Sequence, residues 1–280
     1  MLFYRYLKSV GITDDRIILM VPTDHACSPK NKFPGTLYAH RDHTKNWVCE
    51  DVEIDYKAED LTADTILNMM RGRYEDNYPL SKRMQTNADS RIFMYWNGHG
   101  GENFFKIQDT ELIHSEDLAK VVDEMHLKGL YKEMVLLIDT WEALSLFDQI
   151  TAPDVYLIAT SQHDESALAQ DTDPDLNNHL SDNFSRDFTD FLFSPVGYRH
   201  KSDFSMADFA KHFDYDMIKS HLTLVNNSQR DEKDVLLSEF IPIKDDYMGE
   251  GIDGRQEGTK FYTWDDLLEW SWDHGRDIET

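Results

Sequence analysis

Two stretches hold the residue types best suited to chemistry: a histidine set among glycines, Asn97-Gly98-His99-Gly100-Gly101, and an acid, a hydroxyl and an indole in series, Asp139-Thr140-Trp141-Glu142-Ala143. Imidazole titrates near neutrality and moves protons. Glycines beside it let a ligand backbone approach and leave amides free to face a developing oxyanion. Taken alone, Gly-His-Gly-Gly is also compatible with a tight strand-to-loop turn carrying an incidental histidine. Trp141 offers no nucleophilic atom.

Both stretches follow short apolar runs, Arg91–Trp96 and Met134–Ile138. Such runs read as buried parallel strands, and open α/β sheets hold their chemistry at the carboxyl ends of strands. If the two strands are neighbours, His99 and residue 141 lie side by side. A histidine paired there with a cysteine would serve acyl transfer, the thiolate attacking and the imidazole shuttling the proton.

The surrounding elements fit that placement. Phe3, Tyr6, Leu7 and Val10 lie at helical spacing, with Gly11 as a stop. Ile17–Val21 reads as a strand and Val52–Tyr56 as an alternating one. A helix over Ala63–Arg71 follows a Thr62 cap, and Phe104–Ile107 with Glu111–Ile113 reads as a hairpin. Ser115 is expected to cap a helix closed by Gly129, a further helix is expected from Glu142, and Val155–Thr160 reads as a strand. Residues 161–177 read as an acidic loop at a strand end, a candidate substrate wall. Helices near 178–193 and 205–219 and a strand over Val235–Phe240 complete the pattern. Alternating strands and helices predict a mainly parallel sheet flanked by helices over residues 1–243. Residues 244–280 form an acidic tail, with a helix after Thr263 bearing Trp264, Trp270 and Trp272 that is expected to dock on its own domain.

The chain has 280 residues, 40% hydrophobic and 12% aromatic, enough for a sizeable core. Its 28 basic against 53 acidic residues give a net charge of −25. That argues against a nucleic-acid partner and suits basic partners or divalent cations. No apolar stretch is long enough to span a bilayer, and the N-terminus lacks the unbroken apolar core of a signal peptide. Cys27 and Cys49 are compatible with a mutual bridge, free thiols or a bond to another chain. Asn183-Phe184-Ser185 and Asn226-Asn227-Ser228 match the N-glycosylation pattern. His40 and His43 beside Asp42 lack the further ligands of a zinc site.

The run Asn97–Gly101, the Leu137-Ile138-Asp139-Thr140 strand end, Asp51-Val52-Glu53-Ile54-Asp55-Tyr56, Ala26-Cys27-Ser28-Pro29-Lys30-Asn31 and Gly11-Ile12-Thr13-Asp14 together resemble the catalytic subunits of GPI-anchor transamidases, within the caspase- and legumain-like cysteine peptidases. The resemblance runs from about residue 2 to 166 and weakens to about 240, where Gln229-Arg230-Asp231 still matches. It implies a caspase/legumain-like α/β fold with His99 as general base and Gly100 as oxyanion donor. Where the family carries its nucleophilic cysteine and a glutamine, this chain has Trp141 and Glu142. The activity implied is removal of a C-terminal propeptide and transfer of the new carboxyl end to a GPI lipid amine through a thioester, with Ser161–Ser166 as part of the substrate wall.

The resemblance also implies a Ca²⁺ site on Asp14, Glu53, Asp55 and the carbonyl of Ile54. The spacing of these acids by itself favours a solvated strand face. Cys27 matches a cysteine that bonds to another transamidase subunit, and the implied setting is the lumen of the endoplasmic reticulum. The family's first strand precedes its first helix. This sequence opens inside that helix, so a sheet lacking that strand is expected, and the family's C-terminal membrane helix has no counterpart here. Two readings follow: a transamidase whose cysteine is missing from this sequence, and a non-catalytic paralogue that binds substrate peptide or scaffolds other subunits. Two adjacent departures, at 141 and 142, favour impaired catalysis.

Overall fold

The apolar run before Asp139 becomes the innermost strand of a sheet, with every one of its seven residues buried. The computed structural model describes residues 1–280 except 23–25, 30, 39–45, 47–51, 109, 174, 176, 177, 194–200 and 244–280. The elements begin with α1 (Leu2–Ser9), β1 (Met20–Val21), β2 (Tyr56–Lys57), α2 (Ala63–Met70), β3 (Arg91–Asn97), β4 (Gly100–Gly101), β5 (Phe104–Ile107) and β6 (Glu111–His114). They continue with α3 (Ser115–Leu127), β7 (Glu133–Asp139), β8 (Val155–Ala159), β9 (Ala169–Asp173) and β10 (Asn178–Asp182). The last are α4 (Asn183–Phe193), α5 (Met206–His212), α6 (Tyr215–Ile218) and β11 (Thr223–Asn226).

The main sheet has the order β11-β8-β7-β3, with β3, β7 and β8 parallel and β11 antiparallel at one edge. Side-chain alternation sorts β7 between two cores. Met134, Leu136 and Ile138 join Ile92, Met94 and Leu157 under α2 and α3, where Leu118, Val121, Val122 and Met125 form the buried stripe. Val135 and Leu137 join Tyr156 and Ile158 on the other face, under an aromatic layer from α4 and α5. There Phe184, Phe188, Phe209 and Phe213 pack with ring centroids 5.0–6.3 Å apart. Phe3 of α1 reaches Phe93 and Phe188, so the first helix lies on this face. Such burial on both sides of a strand is the hallmark of an α/β sheet, the class that the caspase/legumain-like resemblance implies.

Several local expectations are corrected. Of Ile17–Val21 and Val52–Tyr56 only β1 and β2 pair, and they do so parallel to each other. Among the described residues no strand lies outside β3 in the main sheet. Ser115 starts α3 without capping it; its amide donates to the Asn103 carbonyl and His114 takes the cap position. The expected helix from Glu142 is a short 3-10 turn, Ala143–Phe147, because Glu142 is left-handed (φ +51°) and the next two amides are drawn to Ser161. Residues 161–177 are not all loop, since β9 pairs with β10. The helix over 205–219 divides into α5 and α6, each started by its own cap, Ser205 and Asp214. Val235–Phe240 makes an isolated bridge, Ser205 to Leu236, and a 3-10 turn. The antiparallel strand at the sheet edge is β11, whose β-branched signal is only four residues long.

Both glycosylation patterns fall on engaged amides: Asn183 is buried and donates to the Ile218 carbonyl, and Asn226 donates to the Arg230 carbonyl and to Glu232. The chain separates into Met1–Asp246 and Tyr247–Thr280. The second unit, with its expected Trp264 helix, lies outside the described residues, as do His40, Asp42, His43 and Cys49. No helix among the described residues is long and apolar enough to cross a membrane.

At the amino ends of the strands, buried Glu133 accepts from Arg91 (2.9 Å) and Arg230 (2.8 Å), and both arginines also reach Glu239. The network ties β3 and β7 to the segment after β11, and both carboxylates, Glu239 first, hold the Arg230 guanidinium above its ordinary range. Glu133→Ala leaves both guanidinium groups to share Glu239 alone. It is expected to lower stability by about 2 kcal/mol, below the value for a fully buried pair because both arginines are partly solvated. Urea denaturation of the variant measures this; an unchanged midpoint would show the network to be decorative.

Candidate active site

Parallel pairing sets the site. Asn97 is the register partner of Asp139, and the Gly98 amide extends the ladder to the Asp139 carbonyl at 3.2 Å. His99 and Trp141 each stand two residues beyond those partners, at adjacent strand ends, and both are exposed. The register thus sets His99 and Gly100 at one strand end and Trp141 at the end of the neighbouring strand. Gly100 is needed for space rather than for its backbone angle: a Cβ there would lie 2.5 Å from the Thr140 Oγ1 and 2.8 Å from the Phe104 carbonyl. That Thr140 hydroxyl is buried and has no hydrogen-bond partner among the described residues.

The strand end after Asp139 is laced to the 161–168 segment. Ser161 Oγ donates to the Thr140 carbonyl (2.6 Å) and accepts from the Ala143 amide (3.0 Å). The Leu144 amide donates to the Ser161 carbonyl, and the Glu142 amide to the Glu165 carbonyl. Trp141 Nε1–H donates to the Ala167 carbonyl at 2.8 Å. The expected wall, Ser161–Ser166, therefore stands directly beside residue 141. Burial of Glu165 works against its charged form, yet bonds from the Gln162 amide and from the His221 amide and ring outweigh it and hold the carboxyl below its usual range. Ser145 cannot replace a nucleophile at 141: it is buried and its Oγ donates to the Glu142 carbonyl while accepting from the Asn103 amide.

Beneath the strand ends lies a polar cluster that sequence spacing did not reveal. Asp139 is 2% exposed. It accepts from Thr160 (2.8 Å), Asn97 (3.0 Å) and Ser185 (3.2 Å), and the same Asn97 amide reaches Asp182 at 2.7 Å. Burial, then the charge of Asp182, push the Asp139 carboxyl well above the ordinary carboxylate range, against the donors Thr160 and Asn97. Asp182 and Ser185 are more than forty positions from Asp139, so only folding joins them.

The acids expected to hold Ca²⁺ lie in another corner. Asp14 accepts from Tyr4 (2.6 Å) and pairs with Lys8, and these two bonds, Lys8 first, hold its carboxyl low. The same Tyr4 hydroxyl accepts from the Glu53 amide at 3.3 Å. Asp55 is buried, accepts from the Leu19 amide, and is pushed up chiefly by desolvation and further by Glu53 and Asp14. Glu53 is exposed and Ile54 half-buried. The donor chemistry suits a hard cation, since oxygen ligands of like charge face one another. The described residues do not close it into a cluster of three metal-ligating side chains, with Lys8 engaging Asp14 instead. Cys27 is exposed.

Comparison with known proteins bears on this geometry. A profile described as the peptidase C13 family matches residues 1–227. The chain is 34% identical over 238 residues to a "GPI-anchor transamidase" of Schizosaccharomyces pombe, covering 85% of this chain and 62% of that one. It is 32% identical to the Saccharomyces cerevisiae "GPI-anchor transamidase", covering 85% of this chain and 57% of the relative. The human protein of that name is 35% identical over 189 residues, 68% of this chain and 48% of its own. The chain thus spans between about half and three-fifths of the length of these curated relatives.

A carboxyl raised by folding favours the folded state only where it is protonated. Asp139 therefore costs stability as pH rises from about 4, the unfolded carboxylate range, through its higher folded value. Asp139→Asn removes the burial of charge. Relative to wild type, it is expected to become steadily more stable over that rise, read as melting temperature against pH. Parallel curves for the two proteins would contradict the account.

Proposed function

The chain belongs to the peptidase C13 family, and from that membership we propose that it is a homologue of the GPI-anchor transamidase catalytic subunit in which cysteine-type acyl transfer is lost. The observation that carries this reading is Trp141, at the strand end beside His99. In the implied reaction a thiolate attacks the peptide carbonyl and a backbone amide holds the oxyanion. Collapse forms a thioester and expels the propeptide amine, which takes its proton from the imidazole; a GPI lipid amine then attacks the thioester, restoring the thiol. His99 supplies the imidazole and Gly100 the amide position. Residue 141 supplies nothing to attack with, because the indole nitrogen pair belongs to the ring and its N–H is a donor.

The role that fits is a non-catalytic subunit. It binds C-terminal signal peptides of proproteins or scaffolds other transamidase subunits in the lumen of the endoplasmic reticulum, with Cys27 at the position where the family bonds to a partner subunit. The close packing of Gly100 on Thr140 also favours a second reading, an active transamidase with cysteine at 141. Glu142, the adjacent departure, weighs against it.

Ca²⁺ would be held by Asp14, Glu53, Asp55 and the Ile54 carbonyl, and would offset the like charges that now face one another there.

Assay of the purified chain, with Trp141 verified by mass spectrometry, is expected to show no transamidation sensitive to thiol reagents; such activity would refute the loss. Trp141→Cys is expected to gain alkylation at residue 141 that slows when His99 is changed to Ala. For the cation, adding Ca²⁺ is expected to raise the melting temperature of wild type, and Glu53→Ala to lose most of that rise. Equal melting with and without the ion in both proteins would rule the site out.

A further inference from the structure

Trp141 is a large apolar side chain that belongs to neither core, with 49% of its surface exposed. Burial would stabilise so large a ring, which makes its exposure the informative observation. Its N–H is bound to the Ala167 carbonyl at 2.8 Å, so the ring is held in one orientation. Elsewhere in the chain Lys82 and Arg83 sit over the rings of Tyr56 and Tyr74. Among the described residues the indole of Trp141 has neither a cation nor a second ring against it. Its surroundings are acidic. Residues 97–103 are joined to 139–145 by the Gly98 and Asn103 amides, and 139–145 to 161–168 by the Glu142 and Leu144 amides. These three segments carry Glu102, Asp139, Glu142, Asp164 and Glu165 and no lysine or arginine. Asp139 is buried, and Glu165 is engaged by His221. Glu102, Glu142 and Asp164 have no ion-pair partner among the described residues.

We propose that the open surface of the Trp141 indole receives the guanidinium of an arginine side chain in a bound peptide. A tryptophan face attracts a cation through its ring quadrupole, and acids without counterions raise the local concentration of cations. Arginine fits better than lysine. Its planar, weakly hydrated cation stacks on a ring and leaves N–H groups at its edge to reach carboxylates. A second copy of this chain, at a net charge of −25, is the wrong complement. The inference rests on the peptide-binding reading above and names the side chain that this site selects. Residue 141 then acts in recognition, through an orientation that the Ala167 carbonyl fixes in advance.

The test titrates the full chain, labelled with nitrogen-15, at about pH 8, where imidazole is neutral. One probe is a short blocked peptide of glycines around one arginine; the other is its twin carrying citrulline, the neutral isostere. The Trp141 indole signal, one of six, is assigned by its loss in Trp141→Phe. It is expected to move with the arginine peptide, which binds about threefold more tightly than its twin. In Trp141→Leu, followed at the backbone amides of 166–168, the two peptides are expected to bind alike. Equal binding of both peptides by wild type would overturn the arginine site and leave peptide binding standing. Binding of neither would overturn both. A preference for arginine that survives undiminished in Trp141→Leu would assign it to the acids alone and overturn the role of the ring. Should Trp141→Leu unfold, the wild-type indole signal with the two peptides decides alone.

Discussion

The structure depends on one in-register parallel pairing, β3 with β7, running from Arg91 opposite Glu133 to Asn97 opposite Asp139. Because β7 is buried along its whole length, a slip of one residue would exchange its two faces and drive each apolar set into the wrong core. Packing on both sides therefore fixes the register. The register in turn fixes what stands at each end: an Arg–Glu network at the amino ends, and His99, Trp141 and the buried acids at the carboxyl ends.

At the carboxyl ends, close packing and polar satisfaction pull in different directions. Gly100 lets the histidine loop press onto Thr140, whose hydroxyl has no partner among the described residues. Asp139 gathers several donors but also faces Asp182 across the Asn97 amide. Such local conflicts survive because the sheet and its two apolar layers over-determine the backbone around them. Functional clefts often show this mixture.

How much of this was legible depended on where each element gets its stability. The strands Arg91–Asn97, Glu133–Asp139 and Val155–Ala159 and the helix with Leu118, Val121, Val122 and Met125 carry their own burial pattern, so periodicity finds them. The turn after Glu142 does not. Its residues are apolar enough for a helix, but Ser161 captures the amides that would begin one. The hairpin of β9 and β10 is polar on both strands and leaves no alternating signal. Asp182 and Ser185 look like ordinary helix-start residues until α4 is docked beside β7, when they turn out to line Asp139.

The sequence by itself determined the α/β class, the pair of strand ends and the identity of the residues there, including an indole with no nucleophilic atom at 141. Those properties are local: they follow from side-chain periodicity and from the chemistry of single residues. Only the tertiary structure decided that Trp141 bonds to Ala167, that Asp139 shares its pocket with Asp182, and that Lys8 engages Asp14 among the expected calcium ligands. Each joins groups from separate elements, and hydrogen bonds and charges act over a few ångströms in space whatever their separation along the chain.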